Sequence, residues 1–258
     1  MRRFEATFNR DPDELIEGAP IHPLSHWCLF LSEAKQSQLG EDGHPARGHF
    51  LPPVHHLPRR MWAGSRLEFF KPIEIGMELT RVSTIKAVKE KQGASGPLIF
   101  VTVNHDICEV KGQSLLSEEH DIVYRPLDGP AVKHAPEAPE PAIWRKSYRP
   151  DAVLLFRYSA LTFNSHRIHY DRKYVQDIEG YPGLIVHGPL IATLLLDGLL
   201  AQVRDGRLAR FSFRALSPLF DGETLTVNAT KPDSAGLTKL WAENSQRRLA
   251  MQAEACIL

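Results

Sequence analysis

The segment YSALTFNSHRIHYD, residues 158–171, concentrates side chains that can accept, donate or hold a proton. Asn164, His166, His169 and Asp171 come directly after an apolar stretch that predicts a short strand, and polar residues at such a point are often placed for function. A histidine titrates near neutral pH and can serve as a general acid or base. The same residues would also suit the start of a helix, with Asp171 as an ordinary surface acid, so the segment alone leaves both interpretations open.

A second segment, YPGLIVHGPL, residues 181–190, leads into a long apolar helix. Gly188 has no side chain, so its backbone can approach a ligand closely. The first amides of a helix are free donors at the positive end of the helix dipole, and they can stabilise an oxyanion. Pro189 has no N–H, so the donor is Gly188 or an amide beyond Pro189; the alternative is a plain helix entry. Together, the imidazole and this donor fit chemistry alpha to a carbonyl.

The first half of the chain predicts one helix followed by a sheet. Apolar residues at helical spacing after Ser25 predict a helix over 22–39, and residues 41–60 form a loop rich in proline, glycine and histidine. Four segments between Met61 and Tyr124 alternate with period two and predict strands. Five prolines over 125–141 then predict a linker.

The second half predicts a similar set of elements. An apolar strand is expected over 151–158, a short helix over 170–179 and the strongest helix of the chain over 189–203. Four strands follow, over Ala209–Leu216, Thr224–Lys231, Leu237–Asn244 and Arg248–Leu258.

Residues 65–82 and 209–227 share one template, in which an aromatic strand, a proline-containing turn and a glycine corner precede a second strand. Such a repeat suggests duplication, although any two antiparallel segments look somewhat alike. The sequence therefore predicts an α+β double hot dog, with two antiparallel sheets that each wrap around a long central helix. The expected parts are an N-terminal unit over 1–125, a proline-rich linker over 126–146 and a C-terminal unit over 147–258. The N-terminal unit has no equivalent histidine motif, so we expect it to be catalytically degenerate.

Composition excludes several classes of function. Lys plus Arg and Asp plus Glu are 31 each, which gives no electrostatic case for a nucleic acid or an anionic membrane. The three cysteines form no C-x-x-C pair, and no metal site is predicted. The longest apolar run, residues 190–200, is too short to span a bilayer, and no leader is evident, so a cytoplasmic protein is expected.

The residues 158–171 resemble the hydratase motif of MaoC-like, R-specific enoyl-CoA hydratases, which are hot-dog proteins. In that motif an aspartate stands five residues before a histidine, and those positions fall on Asn164 and His169 here. The family's central asparagine falls on His166. The longer string FNSHRIHYD…EGYPGLIVHGPL resembles the branch of mesaconyl-C4-CoA hydratase, itaconyl-CoA hydratase and hydroxyacyl-thioester dehydratase type 2.

The resemblance implies a hydro-lyase that adds water reversibly to an enoyl-CoA, with a branched C4 dicarboxylyl-CoA as the expected substrate and CoA as part of it rather than a cofactor. His169 would act as general base, and Asn164 would hold the water, because an amide cannot titrate near neutral pH. Gly188 would bind the thioester oxygen. The remaining substrate-binding candidates are His187, His166, Arg167, Tyr170, Tyr181 and Thr193.

Other expectations remain open. The free carboxylate of such a substrate needs a cation, for which Arg167, Arg59, Arg60 and Arg66 are candidates. A homodimer or higher homo-oligomer is possible. Dehydration of 3-hydroxyacyl thioesters in fatty acid synthesis, a hot-dog thioesterase with Asp197 as its carboxylate, and a non-catalytic acyl-CoA binding module are the alternative functions.

Overall fold

One antiparallel sheet dominates the computed structural model, which describes residues 1–46, 50–93, 96–110, 112–126, 135–139, 141–203 and 206–258. Its strands follow the order β2-β3-β4-β1-β6-β9-β8-β7-β5. The strand bounds are β1 Arg59–Phe69, β2 Leu79–Gly93, β3 Gly96–Glu109, β4 Ser114–Arg125, β5 Trp144–Tyr148, β6 Leu208–Ala215, β7 Leu225–Ala229, β8 Leu237–Glu243 and β9 Leu249–Ile257. The α-helices are α1 Arg2–Thr7, α2 Ala152–Thr162, α3 Arg172–Asp177 and α4 Gly188–Leu200.

The four strands predicted between Met61 and Tyr124 and the four predicted after residue 208 are confirmed, and their residues show why they form. In β3, Ile99, Val101 and Val103 alternate with less buried positions, which is the period of a strand with one face in a core. The short helix predicted over 170–179 is confirmed as α3, and the apolar helix predicted over 189–203 is confirmed as α4.

Helix α4 lies in the centre of the core. Nine of its thirteen residues are buried, and they lie on all sides of the helix, which is typical of a helix in the interior of a domain. It packs against β7, β8 and β9. Gly198 permits a close approach of the helix to strand β5, because a Cβ atom there would stand 2.4 Å from the ring of Trp144.

The helix predicted over 22–39 is wrong. A 3-10 turn over Pro23–Cys28 is followed by extended backbone at Leu29 and a second short turn at Gln36–Gln38. The chain also adopts a positive φ of 50° at Phe30, which no helix allows. The apolar residues do recur at helical spacing, but only the short turn over Pro23–Cys28 uses it, where Leu24 is buried.

The strand predicted over 151–158 is also wrong, because these residues begin helix α2. Asp151 caps the helix by accepting a hydrogen bond from the Leu154 amide at 2.8 Å. The buried residues Leu155, Tyr158 and Ser159 lie on one helical face. The run of apolar residues at its start has no period of its own, so it suited a strand equally well.

The two halves of the sheet have the same strand order. The order β2-β3-β4-β1 matches β7-β8-β9-β6, and β1 pairs with β6 in antiparallel register at the centre. The repeated sequence templates begin on these two central strands. The expectation of two sheets, each around a long helix, needs correction: the sheet is continuous, and within the described ranges the N-terminal half has no counterpart of α4 or β5.

The predicted linker is described only in part. Residues 127–134 and 140 lie outside the described residues, and residues 144–146, placed in the linker from sequence, belong to strand β5 instead. β5 pairs with β7 as the edge strand of the sheet, so the C-terminal end of the predicted linker is part of the folded C-terminal half.

Candidate active site

The end of helix α2 delivers Asn164 to a cavity. Phe163 adopts the left-handed conformation, φ 48° and ψ 38°, which reverses the direction of the chain. The backbone N–H of Asn164 then donates to the Ser159 carbonyl at 2.8 Å. Such a conformation costs a non-glycine residue about 1–3 kcal/mol and is often found at functional sites. Asn164 Oδ1 accepts a hydrogen bond from the His166 amide at 3.0 Å. Among the described residues its Nδ2 has no partner, so this group is available to donate to a water.

His169 has the tautomer that a general base needs. Its Nδ1–H donates to the Ile185 carbonyl at 2.7 Å, because a carbonyl can only accept, and this leaves a lone pair on Nε2. The residue is 7% exposed. Burial lowers the pKa of His169 to about 4, although the bond to Ile185 opposes the shift. His169 is therefore neutral at pH 7 and able to take a proton.

His187 supports the ring of His169 from one side. The two imidazoles stack with their centroids 3.6 Å apart and 16° between their planes. His187 Nε2 lies 2.9 Å from Ser159 Oγ on helix α2. Burial, together with the neighbouring His169 and His166, lowers the pKa of His187 well below its ordinary value, so this ring is a neutral, flat support that fixes the plane of His169.

Gly188 begins helix α4 beside these rings. A Cβ atom added there would meet only the methyl group of Met251, at 4.0 Å, so the position opens onto the cavity. Within the described part of the chain its amide has no hydrogen-bond partner, as expected for the first turn of a helix. A donor at the positive end of a buried helix suits an oxyanion.

A cavity of about 1340 Å³ joins these groups to the N-terminal half of the sheet. Asn164, His166, His169, His187 and Gly188 line one wall, and Tyr181 lines it too. The Tyr181 hydroxyl accepts a hydrogen bond from Arg125 Nη2 at 3.0 Å. The structure therefore brings most of the predicted site residues together.

Three predicted site residues do not line this cavity. The Arg167 guanidinium pairs with Asp171 at 2.8 Å and lies 4.0 Å above the Tyr174 ring. The Tyr170 hydroxyl donates to the Ser165 carbonyl at 3.0 Å and is partly solvent-exposed. Thr193 is fully buried and donates to the Pro189 carbonyl within helix α4. These residues hold the loop and the helix in shape rather than facing a substrate.

The candidate cations Arg59 and Arg60 line the cavity from β1, but other residues of the N-terminal half that line it were not predicted. Asp42 and His44 reach the wall beside His166, and the D-x-H spacing in the loop was their only sequence signal. Together with His166 they offer three ligand atoms within 4.8 Å of one another, a set that could hold a metal ion. Further along, Glu118, His120 and Trp62 line the same cavity from β4 and β1.

The buried neutral histidines predict acid sensitivity of the fold. An unfolded histidine takes up a proton near pH 6.5, whereas folded His169 does so only near pH 4. Between these values the unfolded chain binds more protons, so the free energy of unfolding should fall as the pH falls, by up to about 3 kcal/mol for His169 alone. Urea unfolding at pH 7, 6 and 5 measures this change. His169→Gln should retain less of the pH dependence than His56→Ala, and an unfolding midpoint independent of pH would contradict the assignment.

Asp197, the carboxylate on the long helix, lies away from this chemistry. It is bound by Arg10 and stands 3.4 Å from His22 Nε2.

Among the residues that the structure describes, the helices lack the length and the apolar character that a transmembrane span requires.

Comparison with solved structures agrees with the fold of the chain. A MaoC-like dehydratase from Phytophthora capsici superposes with a TM-score of 0.72 at 16% identity, covering 100% of this chain and 91% of its own. A Mycobacterium tuberculosis protein described as having a double hotdog fold gives a TM-score of 0.59 at 13% identity, covering 94% of this chain and 83% of its own. These similarities show the hot-dog fold.

Sequence similarity is more specific. The mesaconyl-C(4)-CoA hydratase of Chloroflexus aurantiacus is 47% identical over 232 residues, which are 84% of this chain and 81% of that protein. The family model described as hydroxyacyl-thioester dehydratase type 2 matches residues 24–221. The chain therefore belongs to the hydroxyacyl-thioester dehydratase type 2 family and is an enzyme of the hydro-lyase class.

Proposed function

We propose that the chain adds water reversibly across the double bond of an enoyl-CoA and that the wall formed by Asn164, His169 and Gly188 carries out this reaction. The observation that carries the proposal is the set of three unpaired or unprotonated groups on this wall. Asn164 offers an N–H donor to the water, His169 offers the Nε2 lone pair, and Gly188 offers a free amide to the thioester oxygen.

The reaction follows from these roles. The thioester carbonyl accepts a hydrogen bond from Gly188, and His169 takes a proton from the water held by Asn164. The water oxygen bonds to the β-carbon while negative charge builds on the thioester oxygen, where a preorganised donor is most effective. The protonated His169 then gives this proton to the α-carbon, which restores the neutral ring, and the reverse sequence dehydrates a 3-hydroxyacyl thioester. No step uses a cofactor.

A branched C4 dicarboxylyl-CoA, such as mesaconyl-C4-CoA or itaconyl-CoA, is the substrate class we propose. The name of the 47% identical relative supports the first of these. The N-terminal wall of the cavity supports the same class, because it is polar where a simple fatty acyl chain would call for apolar residues. Glu118 is 2% exposed and accepts from His26 Nε2 at 2.9 Å and from Trp27 Nε1 at 3.1 Å.

Arg81 is the cation that suits the free carboxylate. It lines the cavity from β2 and lies 5.2 Å above the Phe30 ring. Burial of part of the side chain lowers the pKa of Arg81, while the charge of Glu118 opposes the shift. Within the described residues it forms no ion pair, whereas His26 and His120 Nε2 lie 2.9 and 2.8 Å from the Glu118 oxygens. Of the arginines predicted for this role, Arg66 is occupied by Glu119 and Asp121.

The first experiment tests the reaction class. Purified enzyme is incubated with mesaconyl-C4-CoA, itaconyl-CoA and crotonyl-CoA, and enoyl absorbance and free thiol are followed together. Loss of absorbance without thiol is expected. Release of thiol would indicate a thioesterase, and no change with any substrate would favour a binding module. Initial rates with a 3-hydroxyacyl thioester measure the dehydration that the family model suggests as the alternative direction.

Arg81→Met should alter the substrate preference. We expect kcat/KM for the dicarboxylyl-CoA to fall about tenfold to a hundredfold, because a hydrogen bond to a charged group contributes about 1.5–3 kcal/mol. Crotonyl-CoA, which has no free carboxylate, should be unaffected. Lys86→Met, on the same strand but paired with Glu119, is the matched control. An equal loss with both substrates would place the carboxylate elsewhere.

We also propose that the chain is a tandem of two hot-dog units. Support comes from the matching strand orders and from the antiparallel pairing of β1 with β6, which relates the two halves like the subunits of a symmetric dimer. In this interpretation, the N-terminal unit supplies the acyl-binding wall and the C-terminal unit supplies the groups that react.

A further inference from the structure

The loop over residues 40–46 is fixed against the hydratase segment, residues 158–171. The Gly43 carbonyl accepts from Ser165 Oγ, and the Asp42 carbonyl accepts from the Arg167 amide at 2.9 Å. Gly43 has a positive φ of 85°, and a Cβ atom there would lie 1.9 Å from the Ser165 carbonyl oxygen. Backbone from two distant parts of the chain is therefore held at one place, which preorganises the side chains that both parts contribute there.

Asp42 and His44 present two ligand atoms to each other on this loop. Asp42 Oδ2 and His44 Nδ1 are 3.0 Å apart. The other Asp42 oxygen, Oδ1, accepts from the His44 amide at 2.9 Å, so the backbone orients the carboxylate. Two ligands that each stand about 2.0–2.2 Å from one zinc ion are roughly 3.0–3.5 Å apart. The pair therefore already has close to the spacing that a shared ion requires.

His166 supplies a third ligand from the hydratase segment. Its ring centroid is 3.9 Å from that of His44, and the ligand atoms of Asp42, His44 and His166 lie within 4.8 Å of one another. Within the described residues the His166 ring makes no hydrogen bond, whereas the rings of His169 and His187 each make one. The His166 ring can therefore turn towards an ion without breaking a bond of the fold.

One carboxylate and two imidazoles are a donor set that divalent transition ions such as Zn²⁺ prefer, whereas Mg²⁺ and Ca²⁺ favour oxygen ligands. We propose that Asp42, His44 and His166 form a binding site for a divalent transition-metal ion. Three protein ligands leave at least one position of a four-coordinate ion open. All three residues line the cavity, so the open position faces the space that the substrate enters.

Another group of histidines in the cavity shows what such a site requires. His26 and His120 contact different oxygens of Glu118, at 2.9 and 2.8 Å. Trp27 Nε1 also donates to this carboxylate, at 3.1 Å. In the part of the chain that the structure describes, no three ligand atoms of this second group come within 4.8 Å of one another, as those of the proposed site do.

A bound ion would lie beside the residue that holds the water in the proposed reaction. The His166 amide donates to Asn164 Oδ1 at 3.0 Å, and the ring centroids of His166 and His169 are 5.5 Å apart. An ion on His166, with the water in its open position, takes up space in front of these groups. Resting on the proposed function, the ion inhibits hydration by filling this part of the cavity.

Calorimetric titration of the chelator-treated chain with zinc chloride tests the site without any turnover. We expect one ion to bind per chain. Asp42→Asn, His44→Ala and His166→Ala should each weaken binding at least about tenfold, since loss even of a group that supports a ligand costs about 10–100-fold. His105→Ala is the matched control and should bind zinc like the wild type, because His105 lines the same cavity but is bonded to Ser83.

Two further readouts guard against a variant that fails to fold. The thermal midpoint of the wild type should rise with zinc concentration, because the ion binds only the folded chain, and that of the three variants should rise less. Nitrogen-15 spectra of the histidine-labelled wild type need no variant: the ring signals of two histidines should shift when zinc is added. No saturable binding, or equal zinc affinity in the wild type and the three variants, would overturn the site.

Hydration of mesaconyl-C4-CoA measures the inhibition separately. The wild-type rate should fall as zinc fills the site and recover when a chelator is added. The rate of His44→Ala, relative to its own value without zinc, should stay constant. Zinc binding with unchanged or faster hydration would overturn the inhibition and leave the site, whereas a chain that binds zinc but hydrates no enoyl-CoA would overturn the proposed function alone.

Discussion

Replacing His169 with alanine should lower kcat for enoyl-CoA hydration by at least about a hundredfold, because the water then has no base to take its proton. KM should change little, since the ring contacts the reacting water rather than the bulk of the substrate. Steady-state rates with mesaconyl-C4-CoA measure the effect. A variant that turns over at the wild-type rate would remove His169 from the mechanism.

Two further variants make this result specific. His56→Ala removes an exposed histidine and should keep full activity. His169→Gln can still donate a hydrogen bond to the Ile185 carbonyl but has no titratable nitrogen, so it should be as slow as the alanine variant while retaining more of the fold. Circular dichroism spectra and the thermal midpoint show whether each variant is folded.

Gly188→Pro should lower kcat about a hundredfold to a thousandfold, the scale found when one oxyanion donor is removed. Proline removes the amide proton but keeps the backbone, because the first helical position tolerates proline. The preceding residue, His187, has φ −59° and ψ 133°, which is the extended conformation that a following proline requires. The substitution therefore isolates the N–H group from the shape of the helix start.

Gly188→Ala is the matched control for that variant. It keeps the N–H and adds one methyl group, whose nearest neighbour is the Met251 methyl at 4.0 Å. We expect it to retain most of the activity of the wild type. If alanine and proline slow the enzyme equally, bulk rather than the lost donor causes the effect, and the thioester oxygen is bound elsewhere.

The parts of the fold predicted correctly are those in which a local pattern determines the structure. Strands with alternating burial and the uniformly apolar α4 follow from residue periodicity alone. Helix α2 differs from the predicted strand because the five successive apolar residues 152–156 have no period that would distinguish a helix from a strand. The features that distinguish the helix are the Asp151 cap and the solvent exposure of Val153 and Phe156. The exposure depends on tertiary packing, so the sequence alone does not reveal it.

For the candidate site as well, the sequence predicts the residues of contiguous motifs but not those that distant parts of the chain contribute. His169, Asn164 and Gly188 come from contiguous motifs, so their proximity could be expected. Arg167 is in the motif but turns outward to Asp171, because an ion pair four residues away is available to it. Asp42 and Arg81 could not be predicted, since they reach the cavity from distant parts of the chain, through a loop contact and through the β1–β6 pairing.

The continuous sheet has a consequence for how substrate preference can change. When two identical subunits build such a cavity, a substitution that reshapes the binding wall also appears in the half that carries the reacting groups. In this chain, the wall with Arg81 and Glu118 and the wall with His169 and Gly188 are encoded separately. Each can therefore mutate without altering the other, and relatives can acquire new acyl preferences while the water-adding groups stay unchanged.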